Sequence, residues 1–445
     1  MIAFASLFLG LVIGVQPVAV LVEGPVAAVR LELDGQTVGR IERAPWALPV
    51  DFGGELAPHE LVARAFDREG KEVGSARQFV NLPRPPAEVE VLLERDERGR
   101  PIAARFSGQS ASAFRPARVT VTFDDRPLPA GESGRVELPA YNPETSHVLT
   151  VELEFSEALR SKADLVFGGG ASSVARSELT AVAVRARSPF QARRAAELTG
   201  ALVRGGRPLP IAAVEEGPAL VCVVRGPGVQ VALKSLGSGG RTTLVQQPGT
   251  NRRLPQFDRD ASRHRMTLER DDRLRFIWPM PRSVATAPGA NLYDRSRDYT
   301  DADAGVHWLL TRVEHPEQRP AQVHLADAAA IAGLEATSSG SRRAVVLVLG
   351  DEKSDDSRHM PAEVRRYLAT IRVPFFVWSL KSPASQPLAK AWGAVEDVSS
   401  LAKLERAIEA LKSDLAAQRI VWVEGRYLPQ QIGLSEKAFG LELVR

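Results

Sequence analysis

Arg342 to Leu349 reads RRAVVLVL, a basic start followed by an unbroken apolar run. A strand covered by helices on both faces reads this way, whereas a half-buried antiparallel strand alternates. The flanking sequence agrees. His324–Thr337 (HLADAAAIAGLEAT) has a helical pattern, and Gly350–Ser357 (GDEKSDDS) is an acidic loop. A helix over Pro361–Ile371 and a second apolar strand, VPFFVWSL at Val373–Leu380, come next. This αβαβ run predicts an open α/β sheet whose ligands sit where the strands end.

The whole chain has 445 residues, too many for one core, and about two to four domains are expected. A hydrophobic content of 44% and a charged content of 25% are those of a folded globular protein. The 57 basic and 54 acidic residues are interspersed and leave a formal charge of +3, which does not point to nucleic acid. The single cysteine, Cys222 in ALVCVV, excludes an intrachain disulfide, a zinc cluster or a CxxC pair. It reads as a small buried apolar residue, since no neighbouring base or cation is evident to activate it.

Met1–Val15 (MIAFASLFLGLVIGV) is apolar, with no charge before Glu23. Residues 1–17 are expected to be a signal peptide of an exported protein, atypical in having no leading Lys or Arg and no clear A-x-A site. A retained anchor and a buried first strand are the alternatives.

Residues 18–84 read as one β-sandwich. VRLELDGQTVGRI alternates around Asp34-Gly35, a tight-hairpin dipeptide. Ala44–Gly54, with its prolines, reads as an edge strand. His59–Leu82 supplies two more strands across Glu69-Gly70. After the proline-rich joint LPRPPAE (Leu82–Glu88), residues 88–176 repeat the pattern: VTVTFDDRPL parallels VRLELDGQTV, and HVLTVELEFSE parallels HELVARAFDRE. His59 and His147 each open a strand singly and read as structural rather than as ligands. Residues 177–216 form a connecting β segment, and residues 217–445 the α/β domain. Within the latter, Leu236–Ser262 reads as an irregular insertion and Asp271–Pro279 (DDRLRFIWP) as a strand. Tyr299–Val313 reads as a helix opened by a Thr300/Asp303 capping box.

No assembled catalytic set is visible. The glycines of ADLVFGGGASS and GSGGRTT lack the lysine that a phosphate loop requires and read as turns. There is no G-x-S-x-G, and the seven histidines offer no H-x3-H pair. The expectation is a protein that is not an enzyme and needs no cofactor.

Two resemblances add to this. On Val29, Leu31, Asp34, Gly35, Ala44-Pro45, His59, Leu61, Ala63, Ala65, Asp67 and Gly70, the first sandwich resembles exported bacterial immunoglobulin-like domains, which implies a spacer or adhesion unit. On LADAAAIAGLEA, RRAVVLVLGDEKSDDS, VPFFVWSL and the closing WGAVEDVSSLAKLERAIEALKSDLAAQRIVWVEGRYLP, the last part resembles a Rossmann-like von Willebrand factor type A domain, as found in exported acidobacterial-type proteins. Such domains hold a divalent cation through D-x-S-x-S after the first strand, a later Thr, and an Asp after the central strand. The first motif falls here on Arg225, Pro227 and Val229. The Thr position falls near Gln322 and Val323, and the last motif on Leu349-Gly350-Asp351. The resemblance therefore implies a degenerate, metal-independent domain.

The acidic loop residues Asp351, Glu352, Asp355 and Asp356 are the candidate partner-binding group; a solvated loop balanced by Arg342, Arg343 and Arg358 is expected of them otherwise, with a cation held by the carboxylates as the lesser alternative. Trp378 and Trp392 are read as core residues, with a partner-facing role as the alternative. The function expected is protein-protein interaction or adhesion with a protein or cell-envelope component as partner. The alternative is a structural scaffold or assembly subunit of an envelope complex. A membrane is expected to be engaged only through the N-terminal segment.

Overall fold

Asp34 and Gly35 take positive φ, 53° and 84°, and turn the chain back where the sequence predicts the first hairpin. The structure, a computed structural model, describes residues 2–6, 8, 10–22, 25–83, 87–96, 99–110, 116–129, 134–156, 159–168, 171–176, 179–187, 194–236, 242–246, 253–257, 264–284, 287–314, 322–383 and 386–444. It divides into two units: Arg84–Thr180 with Val423–Tyr427, and Ile2–Pro83 with Ala181–Trp422 and Leu428–Arg445.

The first sandwich, in the larger unit, is built from β1 (Ile2–Phe4), β2 (Val15–Val22), β3 (Ala28–Leu33), β4 (Gln36–Ile41), β5 (Ala47–Asp51), β6 (His59–Phe66) and β7 (Glu72–Val80). Its sheets run β1-β2-β5 and β4-β3-β6-β7. Inward residues such as Val18, Val29, Leu31, Val50, Leu61 and Ala63 form the core between them. The N-terminal apolar stretch contributes directly, since β1 pairs with β2 and Ile2 and Val12 lie in the same core.

The smaller unit is a second sandwich of β8 (Ala87–Arg95), β9 (Pro101–Ser110), β10 (Arg118–Phe123), β11 (Arg126–Leu128), β12 (Arg135–Glu137), β13 (His147–Ser156), β14 (Leu159–Gly168) and β15 (Ala171–Arg176). The order is β11-β10-β13-β14-β15 in one sheet and β12-β9-β8 in the other. Val121, Phe123, Leu149, Val151, Leu165 and Phe167 fill its core. Gly168, at φ 89°, pairs with Ala171 in the β14–β15 hairpin. Gly169 and Gly170 lie outside the described residues.

The segment read as a connector carries β16 (Leu179–Ala186), β17 (Leu202–Arg204), β18 (Arg207–Pro208) and β19 (Ile211–Glu215). These strands join sheets with partners from the end of the chain, as set out below.

The α/β part contains β20 (Leu220–Arg225), α1 (Pro227–Ser235), β21 (Thr242–Gln246), β22 (Arg253–Phe257), β23 (Arg273–Val284), β24 (Ala287–Arg295), α2 (Val306–Arg312), α3 (Leu325–Ser338), β25 (Arg343–Leu349), α4 (Pro361–Thr370), β26 (Phe375–Ser379), α5 (Pro387–Trp392), β27 (Glu396–Asp397) and α6 (Leu401–Ala417). Its sheet runs β24-β23-β20-β25-β26-β27. All pairings in it are parallel except β23 with β24.

All seven residues of β25 are buried. Ala344, Val346 and Val348 enter a core with Val229, Leu233, Leu310, Leu404 and Leu411. Val345, Leu347 and Leu349 enter the opposite core with residues of α3, α4 and α5. Helices on both faces thus explain the unbroken apolar run. The second core also receives Leu56, with Leu11, Ile13 and Leu82 packed against it, so the first sandwich shares a core with the α/β part.

Several expectations are corrected. The Leu236–Ser262 insertion contains an antiparallel hairpin, β21 with β22; Gly237–Arg241 of GSGGRTT lies outside the described residues. The strand expected to end at Pro279 continues to Val284. Within β23 only Arg273–Ile277 pair with β20, so the prolines sit beyond that ladder, at an irregularity where β23 pairs with β24 alone. The helix expected from Tyr299 starts at Val306 with Gly305 as N-cap. Thr300 N–H does donate to Asp303 Oδ2 at 3.0 Å, but the pair closes a preceding turn. Finally, the strand after α6, β28 (Gln418–Glu424), does not close the α/β sheet, whose edge beside β26 is taken by β27. It lies in a separate sheet ordered β19-β28-β16-β30, where β30 is Leu441–Leu443, while β29 (Gly433–Leu434) pairs with β17.

Candidate functional site

β20, β25 and β26 all end on one edge of the parallel sheet, where an α/β fold places its ligands. Arg225 is the last residue of β20 and is fully buried. Its guanidinium lies over the rings of Phe276 and Trp278, 5.3 and 5.4 Å from their centroids, and Nη2 donates to the carbonyl of Val313. Nε and Nη1 have no hydrogen-bond partner among the described residues. Burial lowers the Arg225 pKa to about 10, which still leaves a cation at neutral pH. Pro227 is the first residue of α1 and carries no donor oxygen on its side chain. Val229 is buried in the core. None of the three positions offers an oxygen ligand, and a divalent ion beside Arg225 would be repelled.

The acidic loop follows β25. Asp351 is exposed and pairs with Lys381 at 2.5 Å. Glu352 turns inward: Oε2 accepts the Gly350 N–H at 2.6 Å, and Oε1 is buried without a partner among the described residues. A Cβ on Gly226 would lie 2.1 Å from Oε1, and one on Gly350 would lie 2.9 Å from the Val229 nitrogen. Glycine at these two positions therefore lets the loop close over the start of α1. Burial raises the Glu352 pKa.

The other two carboxylates serve a different helix. Asp355 accepts the N–H groups of Leu325 and Ala326 at 2.9 and 3.1 Å, and Ser357 Oγ accepts those of Ala326 and Asp327 at 2.9 and 3.1 Å. Asp356 Oδ2 accepts from Val323 at 3.1 Å. The N-cap residue of α3, His324, makes no side-chain cap of its own, so the loop caps α3 from about thirty residues away. Burial raises the Asp355 pKa, opposed by these hydrogen bonds.

Arg342 and Arg343 do not balance this loop, because they sit at the opposite end of β25. Arg342 donates to the carbonyls of Gly217 and Leu415 at 2.7 and 2.8 Å, and Arg343 is buried. Arg358 contributes its backbone N–H, at 3.0 Å from Asp327 Oδ2. Trp378 and Trp392 are core residues, each 1% exposed.

Sequence reasoning missed Asp327 and His359, both buried. Asp327 Oδ1 accepts His359 Nδ1 at 2.7 Å and the His359 N–H at 3.1 Å. Burial would raise the Asp327 pKa, but these bonds outweigh it and leave it lowered. The available signal was an aspartate set in the otherwise apolar LADAAAIAG. Among the described residues no three His, Cys, Asp or Glu side chains are grouped to hold a metal, and no helix is long and apolar enough to cross a membrane.

No family model matches the chain, and no curated protein matches it. The solved structures similar to it include fibronectin type III-like modules of CbhA from Clostridium thermocellum, with 12% identity over 38% of this chain and 93% of that one, at a TM-score of 0.16. The central fibronectin type III array of RIM-binding protein has 12% identity over 44% of this chain and 81% of that one, at 0.21. A glycoside hydrolase family 2 β-glucuronidase has 10% identity over 44% and 26%, at 0.16. Likenesses of this size carry no argument about activity, and the β-sandwich description rests on the strand orders above.

Proposed function

We propose that the chain is a non-enzymatic, exported protein whose type A-like, Rossmann-like domain binds a protein or envelope component without a metal, with immunoglobulin-like sandwiches beside it in sequence. The observation that carries the metal-independent reading is Arg225. By the sequence resemblance it takes the position of that family's first aspartate, and it is locked between Val313 and the Phe276 and Trp278 rings. Glu352, lodged against Gly226, further supports a sheet edge closed by protein atoms.

The scaffold reading has its own support. The first sandwich shares a core with the α/β part, Asp355 is spent on capping α3, and Asp356 holds the Val323 amide ahead of that helix, which leaves Asp351 as an exposed carboxylate of the loop for a partner. Capture of partners from native envelopes by wild type and by Asp351→Lys separates the readings. Loss of the captured partner in the variant supports adhesion through the loop. Retention of the partner supports the scaffold.

A further inference from the structure

Both sandwiches tie their Asp-turn hairpin to the next strand in the same way. Asp34 Oδ2 lies 2.7 Å from His59 Nδ1, and Asp34 Oδ1 accepts the Glu60 N–H at 2.8 Å. Asp124 repeats both contacts, with His147 Nδ1 at 2.7 Å and the Val148 N–H at 2.9 Å. In each copy the aspartate N–H returns to the carbonyl of the residue after the histidine, at 2.8 and 2.9 Å.

The copies differ at the other ring nitrogen. His59 Nε2 is buried with no partner among the described residues. His147 Nε2 faces the Asn142 carbonyl oxygen at 2.7 Å and Thr145 Oγ1 at 3.0 Å, while that hydroxyl lies 3.0 Å from the same carbonyl, to which it donates. A carboxylate faces one nitrogen and a carbonyl the other, and neither can donate. Both nitrogens must therefore carry protons for both bonds to exist, which makes the ring an imidazolium.

We propose that His147 is a pH-sensitive clasp of the second sandwich, holding the loop at Tyr141–Thr145 to the β10–β11 turn while charged and releasing it when neutral. A neutral imidazole keeps one of its two bonds and gives up the other; protonated on Nδ1, it holds the loop only by what Nε2 can accept from the Thr145 hydroxyl. The side chain is well placed for this, being 12% exposed, stacked on Phe123 at 5.3 Å and edge-on to Tyr141 at 5.0 Å. Phe167 of β14 lies 6.3 Å away. The charged and titratable groups around it are few. Asp124 and Arg126 come from the hairpin, and Tyr141 comes from the loop, its hydroxyl committed to the Pro101 carbonyl and Arg100 over its ring. Glu144 is exposed in the same loop. The Asp124 and Asn142 hydrogen bonds raise the His147 pKa, so the clasp is full below the ordinary value of about 6.5 and is lost as pH rises through the raised one.

The test uses the full chain labelled with ¹⁵N. Long-range ¹H–¹⁵N correlations of the His147 ring, assigned through contacts to Phe123 and Phe167, are expected to show two protonated nitrogens and a midpoint above about 6.5. A neutral single tautomer at about pH 6.5, or a midpoint at or below that value, would overturn the proposal. Cleavage after Glu144 by a glutamate-specific protease reads the loop itself. Relative to His147→Gln, wild type is expected to be cut roughly tenfold faster or more at about pH 8 than at about pH 6. A pH-independent ratio would contradict the clasp, and the wild-type ring titration decides even if the variant does not fold.

Discussion

The Tyr367 hydroxyl of α4 donates to the Asn81 backbone carbonyl at 2.8 Å, joining residues 286 positions apart. Asn81 sits at φ 56° just after β7, and its side chain closes three further bonds. Val12 N–H donates to its Oδ1 at 2.8 Å, and its Nδ2 donates to the carbonyls of Val12 and Ala57 at 2.8 and 2.7 Å. Asn81 therefore adds a buried hydrogen-bonded tie between the first sandwich and the α/β core, beside the apolar packing of Leu11, Ile13, Leu56 and Leu82. Tyr367→Phe is expected to cost about 1–2 kcal/mol by leaving that carbonyl unsatisfied. Asn81→Ala is expected to cost about 3 kcal/mol or more, since it also meets an unfavourable φ. Chemical denaturation read by hydrogen exchange in β6 and β25 should show both regions losing protection together.

Glu352 gives a pH signature of opposite character to a surface carboxylate. Its pKa is raised, with burial as the leading cause, so the neutral form is the one the fold accommodates. That stability is full below the ordinary value of 4.5 and is lost as pH rises through the raised folded value. Glu352→Gln should therefore match wild type in acid and exceed it in thermal stability at neutral pH. Gly226→Ala should lower stability at either pH, because its Cβ would meet Oε1 at 2.1 Å.

The parts of this molecule legible in its sequence are those set by local pattern. RRAVVLVL announces a doubly covered strand, and Asp34-Gly35 announces a hairpin, because each depends on residues a few positions apart. The destination of β28 was not legible. QRIVWVE has the same apolar character beside β26 or beside β16, and its placement depends on strands far away in sequence. The candidate site divides in the same way. That the side chains of Arg225, Pro227 and Val229 offer no oxygen ligand was readable from residue types alone. The use of Asp355 and Ser357 as caps for α3 was not, since a cap usually lies within its own helix's first turn. His59 and His147 look single in the sequence because their aspartate partners lie in hairpins on neighbouring strands.

Removal of the remote cap should weaken α3. Asp355→Ala leaves the Leu325 amide without its acceptor and the Ala326 amide with Ser357 Oγ alone, and should cost about 1–2 kcal/mol. Asp351→Ala, which removes an exposed ion pair with Lys381, should change stability by less than about 1 kcal/mol. Urea unfolding midpoints of the two variants against wild type check the difference.

Cys222 lies fully buried in β20 between two helix layers, and burial pushes its thiol pKa well up. The thiolate, the reactive form, is therefore suppressed. Native protein should resist a thiol-specific alkylating reagent and become labelled only with global unfolding, as read by mass spectrometry across a denaturant series.

The central claim is that this sheet edge works without a metal. Calorimetric titration of the full chain with magnesium, calcium and manganese tests it most directly. The absence of saturable binding at micromolar concentrations, in wild type and Asp351→Ala alike, is the result expected with Arg225 buried at the edge and Glu352 against Gly226. Micromolar binding by wild type that Asp351→Ala abolishes would contradict it.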